Sequence, residues 1–218
     1  MTVKRLFENV YLIDGKLATP NLKRGKRVYN EELVQVDGVE YRLWNPYRSK
    51  LAAAILNGMK NMSIKEGSDV LYVGAATGTT VSHVSDIVKG GSVFAVELAE
   101  RNMRNLLELC DARDNIMPIL SDARQTENYE SVVGEVDVMY QDVSAKEQAV
   151  ILLANSRLLK KNGIAYFIIK SQSIDISKRP KEVYEQELKL LEGTFEIEER
   201  ISLEPYDSMH LFAVLRKV

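Results

Sequence analysis

The sequence predicts an α/β fold: a mostly parallel sheet, covered by helices on both faces, that follows a small antiparallel β module. Three observations carry this. From residue 69 onward, short apolar β-rich runs alternate with stretches of helical periodicity, the pattern that builds crossover connections and a parallel sheet. The first of these units, Asp69 to Val88, reads as strand, glycine turn and helix. Two Asp-Gly pairs flanked by β-rich runs lie in the first 44 residues, and Asp-Gly in that setting is a strong hairpin signal.

Taken in order, Asn9–Ile13 and Lys16–Thr19 flank Asp14-Gly15, and Leu33–Val36 and Val39–Arg42 flank Asp37-Gly38. Between the hairpins, Lys23-Arg24-Gly25-Lys26-Arg27 reads either as a solvated loop or as a phosphate contact. Residues 1–45 are expected to form the β module and 46–218 the sheet domain. Asn45-Pro46 predicts a helix start, with Asn as N-cap and Pro at the first helical position. Leu51, Ala54, Ile55 and Met59 share its apolar face, and Lys50 falls in its second turn. Val70–Val73 suits a strand buried on both faces, and Val81, Val84 and Val88 mark the helix behind it. Ser92–Val96 is a second strand ending at Glu97, and Ala99–Asp111 a helix. Ile116–Leu120 and Val136–Tyr140 are further strands, and a helix runs from about Lys146 to Leu159. Ile164–Ile169 is a fifth strand, ending at Lys170. Arg179-Pro180 opens a last helix through about Leu191. Phe195–Ser202 and His210–Leu215 then follow each other without a helix and are expected to pair antiparallel.

The composition, 45% hydrophobic and 28% charged, is that of an ordinary soluble globular chain. Cys110 is the only cysteine, which excludes an intramolecular disulfide and a cysteine-cluster zinc site; no metal site is expected. No apolar run approaches ~18 residues and no signal-like segment opens the chain, so a cytoplasmic protein without a membrane segment is expected. Net charge is −2, but residues 1–60 hold 11 Lys+Arg against 6 Asp+Glu and the remainder 18 against 25. A basic front on an acidic body predicts that any RNA contact is one-sided.

In open α/β sheets, ligands sit at the carboxyl ends of strands. Gly74, Glu97, Asp122, Asp142 and Lys170 all fall at predicted strand ends. The small residues Gly74-Ala75-Ala76-Thr77-Gly78 let backbone approach a ligand, and a carboxylate ending the second strand is placed to accept from both ribose hydroxyls of an adenosine. Thr79-Thr80-Val81 follow Gly78, so the third glycine of the dinucleotide fingerprint is missing. That argues against NAD and towards S-adenosylmethionine, which has no pyrophosphate to cradle. Asp122 is placed to accept from the adenine amino group, with Ala123 offering a backbone N–H, and Asp142 lies beside the switch point. Lys50, Asp142 and Lys170 together suggest methyl transfer to an alcohol, because a hydroxyl is a poor nucleophile and needs a base as the methyl moves. Lys170 is the candidate base, and Asp142 orients it and offsets the sulfonium charge. His83, inside the first helix of the sheet domain, is given no role; on residues alone, His210 reads as a structural group at a strand start.

Four segments together resemble the fibrillarin family, specifically its archaeal fibrillarin-like RNA 2′-O-methyltransferases. They are Arg42-Leu43-Trp44-Asn45-Pro46-Tyr47-Arg48-Ser49-Lys50-Leu51-Ala52-Ala53, GAATGTTVSHVSDIV from Gly74, Tyr140-Gln141-Asp142-Val143, and Ile169-Lys170-Ser171-Gln172-Ser173-Ile174-Asp175. The resemblance implies an N-terminal β domain on a Rossmann-like methyltransferase domain, S-adenosylmethionine as donor and a ribose 2′-hydroxyl of rRNA or tRNA as acceptor. It implies three kinds of partner: a box C/D guide RNA, a Nop-domain scaffold protein and a kink-turn-binding ribosomal-type protein. By position, Thr79, Thr80, Glu97, Leu98, Asp122, Ala123, Asp142, Val143, Ser144 and Ala145 match the family's donor-binding segments. Lys50, Asp142, Lys170 and His210 match its catalytic set, which gives His210 a role. The chain departs from the family at Val143-Ser144-Ala145, where Val/Ile-Ala-Gln is usual, at Leu98 in place of Phe, and at Asp207-Ser208-Met209-His210 in place of Asp-His. Two rival readings are a small-molecule O-methyltransferase, which usually requires metal-binding carboxylates or a lid, and a catalytically silent structural subunit of a ribonucleoprotein.

Overall fold

In the computed structural model, which describes residues 1–218, both Asp-Gly pairs close tight hairpins. Asp14, Gly15, Asp37 and Gly38 all take φ between 47° and 80°, the left-handed geometry that two-residue hairpin turns demand. The hairpins are β2 (Val10–Ile13) with β3 (Lys16–Pro20) and β4 (Leu33–Val36) with β5 (Val39–Leu43). A strand not expected from the sequence, β1 (Val3–Phe7), pairs antiparallel with β2 and completes a five-stranded sheet of order β1-β2-β3-β5-β4. Its residues are largely exposed on an edge, so no buried stripe marks it.

Asn45-Pro46 starts only a turn of 3₁₀ helix, Pro46–Arg48, with Asn45 Oδ1 accepting from Tyr47 N–H at 2.9 Å. Ser49 then caps a separate helix, α1 (Lys50–Leu56), so Lys50 is the first residue of its helix and not part of a second turn. Met59 lies beyond α1 yet is buried.

The expected alternation follows: β6 (Val70–Val73), α2 (Thr79–Ile87), β7 (Val93–Glu97), α3 (Glu100–Ala112), β8 (Ile116–Leu120), the short α4 (Glu130–Val133) and β9 (Val136–Gln141). Next come α5 (Gln148–Asn155), β10 (Leu159–Lys170), the short α6 (Ser171–Ile174), α7 (Pro180–Lys189), β11 (Phe195–Ser202) and β12 (His210–Lys217). The helix expected to reach Leu159 ends at Asn155, and β10 begins five residues before Ile164, with a register shift against β9 between Leu159 and Ile164. Asn162 at φ 60° sits inside that shift.

The seven strands lie in the order β11-β12-β10-β9-β6-β7-β8. β8 through β10 run parallel; β12 is antiparallel to both β10 and β11. All four β6 residues are buried: Val70 and Tyr72 face one core while Leu71 and Val73 face the other, as expected of a strand covered on both faces.

A buried ion network fastens the β module to α2. Arg42 Nε contacts Glu31 Oε1 at 2.6 Å and its Nη1 contacts Asp86 Oδ2 at 2.6 Å. Arg113 Nη1 reaches Asp86 Oδ1 at 2.6 Å. His83 stacks on Trp44 with ring centroids 4.6 Å apart, and its nitrogens meet Thr19 Oγ1 at 2.8 Å and Tyr29 Oη at 2.7 Å. Thr19 donates its hydroxyl proton to Asp86, so Thr19 Oγ1 accepts from His83 Nδ1–H and Tyr29 donates to Nε2. That is a neutral imidazole. Burial, reinforced by Arg42 and Arg113, holds the His83 pKa well below 6.5.

Candidate active site

β6 and β9 are neighbours in the sheet but not in the chain, so the loops leaving their carboxyl ends diverge and open a crevice. Gly74 ends β6 at φ +87°, and a Cβ there would lie 2.7 Å from the Asp142 carbonyl oxygen. Only glycine permits both the backbone and the approach. The crevice is a cavity of about 510 Å³ lined by Gly74, Glu97, Leu98, Asp122, Ala123, Asp142, Val143, Ser144, Ala145 and Lys170, a size suited to a nucleoside-sized ligand.

The Glu97 carboxylate is fixed before any ligand arrives. Oε2 accepts from Ala76 N–H at 2.7 Å, and Oε1 accepts from Ala99 N–H at 2.8 Å and Asn102 Nδ2 at 3.2 Å. Asp122 differs. Arg124 donates to it from its backbone N–H at 3.0 Å, from Nε at 3.0 and 3.1 Å, and from Nη2 at 2.6 Å. These bonds hold the Asp122 carboxyl below the usual carboxylate range and take up the acceptor positions expected for an adenine amino group. The half-exposed Arg124 must swing aside to free them.

At the lip of the cavity the charged groups form a chain. Lys170 Nζ lies 2.8 Å from Asp142 Oδ1, but its directional bonds run to Asp142 O at 3.1 Å and Ser144 Oγ at 3.0 Å. Lys50 Nζ donates to Asp142 Oδ2 at 3.0 Å and lies 3.8 Å from Asp207 Oδ2. Asp207 Oδ1 is 2.7 Å from His210 Nδ1, though off the line of a hydrogen bond. Lys170 and His210 stand opposite each other in the β10–β12 register, so pairing of two strands far apart in sequence brings both to the site.

Three expected donor residues, Ala75, Thr79 and Thr80, do not line this cavity. Ala75 is buried, with its N–H bonded to Val96 O at 3.0 Å. Thr80 donates to Ser49 Oγ at 3.0 Å, and so braces the cap of the helix that begins at Lys50. Thr79 lines a different cavity, beside Arg27 and Arg48.

Sequence reasoning missed Asp207 and Gln148. Gln148 is fully buried; its Oε1 accepts from Lys170 N–H at 2.9 Å and its Nε2 donates to Ala145 O at 2.9 Å. One amide thus ties the end of β10 to the loop that follows Asp142. Glu187 accepts from Ala149 N–H at 2.8 Å behind it, and burial raises its pKa. Asp207 is signalled by its spacing of three before His210; Gln148 has no local signature.

A family model for fibrillarin matches residues 1–217. The chain belongs to the fibrillarin family. It is 49% identical over 221 residues to a fibrillarin-like rRNA/tRNA 2′-O-methyltransferase of Thermococcus gammatolerans, covering 98% of both chains. Aeropyrum pernix fibrillarin, solved in complex with natively bound S-adenosyl-L-methionine, superposes with a TM-score of 0.90 at 44% identity, over 99% of this chain and 98% of that one. A fibrillarin/Nop5p complex contains a chain that superposes with a TM-score of 0.91 at 42% identity, over 99% and 100% of the two chains. The expected Rossmann-like methyltransferase sheet with a separate antiparallel β module is therefore the fold of this chain. No helix is long and apolar enough to cross a membrane.

Proposed function

We propose that the chain is an S-adenosylmethionine-dependent RNA 2′-O-methyltransferase, the catalytic subunit of a box C/D ribonucleoprotein acting on rRNA and tRNA. The observation that carries this reading is the Lys50–Asp142–Lys170 cluster at the lip of the cavity between β6 and β9. The donor fits the residues present. Glu97 offers two pre-aligned carboxylate oxygens to ribose hydroxyls, the space a Cβ would fill at Gly74 stays open, and Leu98, Ala123, Val143 and Ile151 supply apolar wall. When bound, S-adenosylmethionine supplies an electrophilic methyl on a cationic sulfur.

The chain's residues do the rest. Lys170 would accept the 2′-hydroxyl proton as the oxygen–carbon bond forms and the methyl–sulfur bond breaks. Asp142 orients both lysine nitrogens and would offset the sulfonium charge of the bound donor. Lys50 donates to Asp142 Oδ2 and would offset negative charge developing on the acceptor oxygen. Asp207 lies between Lys50 and His210, 3.8 Å from Lys50 Nζ and 2.7 Å from His210 Nδ1. Holding acceptor and donor in line contributes up to ~7–11 kcal/mol, more than general-base help alone.

The net charge of −2 and the absence of an RNA-recognition motif favour substrate selection by partners. The proposed partners are a guide RNA that pairs with the target, a Nop-domain scaffold and a kink-turn-binding ribosomal-type protein. The fibrillarin/Nop5p complex supports the scaffold. Transfer of labelled methyl is measured on a guide-matched oligonucleotide, first with the chain alone and then with guide RNA and both proteins. Methylation of the guide-matched ribose only in the full mixture is expected. Efficient sequence-selective transfer by the lone chain, or none in the full mixture, overturns the reading.

A further inference from the structure

Against the β module lie two adjoining cavities, sharing Tyr29, Asn30 and Arg48, that the mechanism leaves unused. One, of about 600 Å³, is walled mainly by apolar surface from Leu17, Leu43, Trp44, Pro46, Tyr47 and Leu56. The other, of about 500 Å³, presents Lys26, Arg27 and Arg48, all exposed, against a single carboxylate, Glu108. Tyr29, Asn30 and Arg48 line both, and the Arg48 guanidinium stands over the Tyr29 ring at 5.1 Å where the two meet. Lys23, nearby, pairs with Asp114 at 3.2 Å; Lys26, Arg27 and Arg48 have no such partner within the chain.

The pair is coupled to the active site through Tyr47. This ring is 69% exposed and meets the Tyr206 ring edge to face with centroids 5.2 Å apart, next to Asp207 of the catalytic chain. Only Arg48 and Ser49 separate Tyr47 from Lys50, and three residues span at most about 11 Å. Tyr47 thus places the apolar cavity within short reach of Lys50. An apolar recess with an exposed aromatic ring suits a flat base, and a basic recess at fixed offset suits the phosphate attached to it. A protein side chain would use the first recess but leave the cations of the second unanswered.

We propose that these two cavities seat a nucleotide flanking the methylated one. Its base, unstacked, lies against Tyr47 beside Trp44, and its phosphate meets Lys26, Arg27 and Arg48. The inference rests on the RNA methyltransferase reading. It gives the Lys23–Arg27 basic run a use, and it makes the chain a local reader of strand geometry even though base pairing selects the site.

Trp44 is the only tryptophan, so the chain grown on 5-fluorotryptophan gives a single ¹⁹F resonance from the wall of the apolar cavity. The labelled chain is assembled with unlabelled guide RNA, scaffold and kink-turn-binding protein, then given an intact target oligonucleotide or one with an abasic residue on either side of the target ribose. The intact target is expected to shift the resonance, and one of the two abasic targets to abolish the shift. Tyr47→Ala should raise the target KM about tenfold, and Arg48→Ala should lower the salt slope of target binding by about one contact. A resonance that responds to scaffold and then ignores target would make this face a protein interface and overturn the proposal. So would a resonance unmoved by intact target, or one that moves equally for both abasic targets. Loss of all methyl transfer, with the ¹⁹F response intact, would instead count against the catalytic reading.

Discussion

Two clusters in this molecule have the same charge inventory, two cations and two carboxylates, and do opposite things. Between the β module and α2, Arg42, Arg113, Glu31 and Asp86 are sealed, with side chains 0–1% exposed. At the cavity lip, Lys50, Lys170, Asp142 and Asp207 remain 12–27% exposed. The sealed cluster uses arginines, whose planar forks fill several acceptors at once: Arg42 alone reaches Glu31, Asp86 and Ser82. The open one uses lysines, which can give up a proton where arginine cannot. Asp86 is engaged by Arg42, Arg113, Thr19 and the Leu22 N–H, while Asp142 Oδ1 and His210 Nδ1 remain without a hydrogen bond. A satisfied network holds domains together. One left partly unsatisfied has capacity for a ligand and a proton.

The comparison is sharpest when the same substitution is made in each. Asp86→Asn removes the negative charge shared by two buried guanidinium groups and is expected to cost about 3–5 kcal/mol of stability, read by chemical denaturation. Asp142→Asn should shift stability by less than about 1 kcal/mol while nearly abolishing turnover and weakening donor binding. Equal destabilisation by both would erase the distinction. Next in size, Lys170→Ala should lower the single-turnover rate about a hundredfold or more, with the donor complex intact by calorimetry. A near-normal rate in the assembled particle would remove Lys170 as the base.

The open cluster was the more legible of the two, for a physical reason. Gly74, Glu97, Asp142 and Lys170 end successive strands, so topology alone gathers them, and short apolar runs reveal strands. Family resemblance supplies His210 and also Thr79 and Thr80, which do not line the cavity; Thr80 donates to the Ser49 cap. The sealed cluster left no local mark: Arg42, Asp86 and Arg113 are far apart in sequence and look like surface charges until tertiary packing buries them. His83 looked inert for the same reason, its partners Thr19, Tyr29 and Trp44 lying in the other module. Lys50 was found, but its place in the helix was misjudged, because Ser49 restarts the chain after the 3₁₀ turn and the Asn-Pro signal marks only that turn.

A smaller effect separates residues that hold the donor from residues that do chemistry. Glu97→Ala removes a charged acceptor of two ribose hydrogen bonds, each worth about 1.5–3 kcal/mol. S-adenosylmethionine affinity should fall at least tenfold by calorimetry, with the unfolding midpoint near that of the parent chain. Unchanged affinity would take Glu97 out of the site.

The smallest effect is a pH dependence carried by His83 beside the sealed cluster. His83 is buried, neutral and flanked by Arg42 and Arg113, and its folded pKa is held well below 6.5. In the unfolded chain it returns to about 6.5. As pH falls below that value the unfolded chain binds a proton that the folded chain refuses, so stability declines with falling pH, by at most about 1.4 kcal/mol per unit. Glu31 adds a loss in the same direction only at lower pH. Burial opposes its ionisation, but the Arg42 guanidinium and the Tyr29 N–H outweigh burial and lower its pKa from 4.5. The window between pH 5 and 6.5 therefore isolates the imidazole from this carboxylate. Unfolding free energy measured across that window should slope downward towards acid in the parent chain and flatten in His83→Gln, whose amide can both accept from Tyr29 and donate to Thr19. Identical slopes in the two proteins would mean that His83 does not carry the effect, and that the contact between module and sheet tolerates a charge that its geometry forbids.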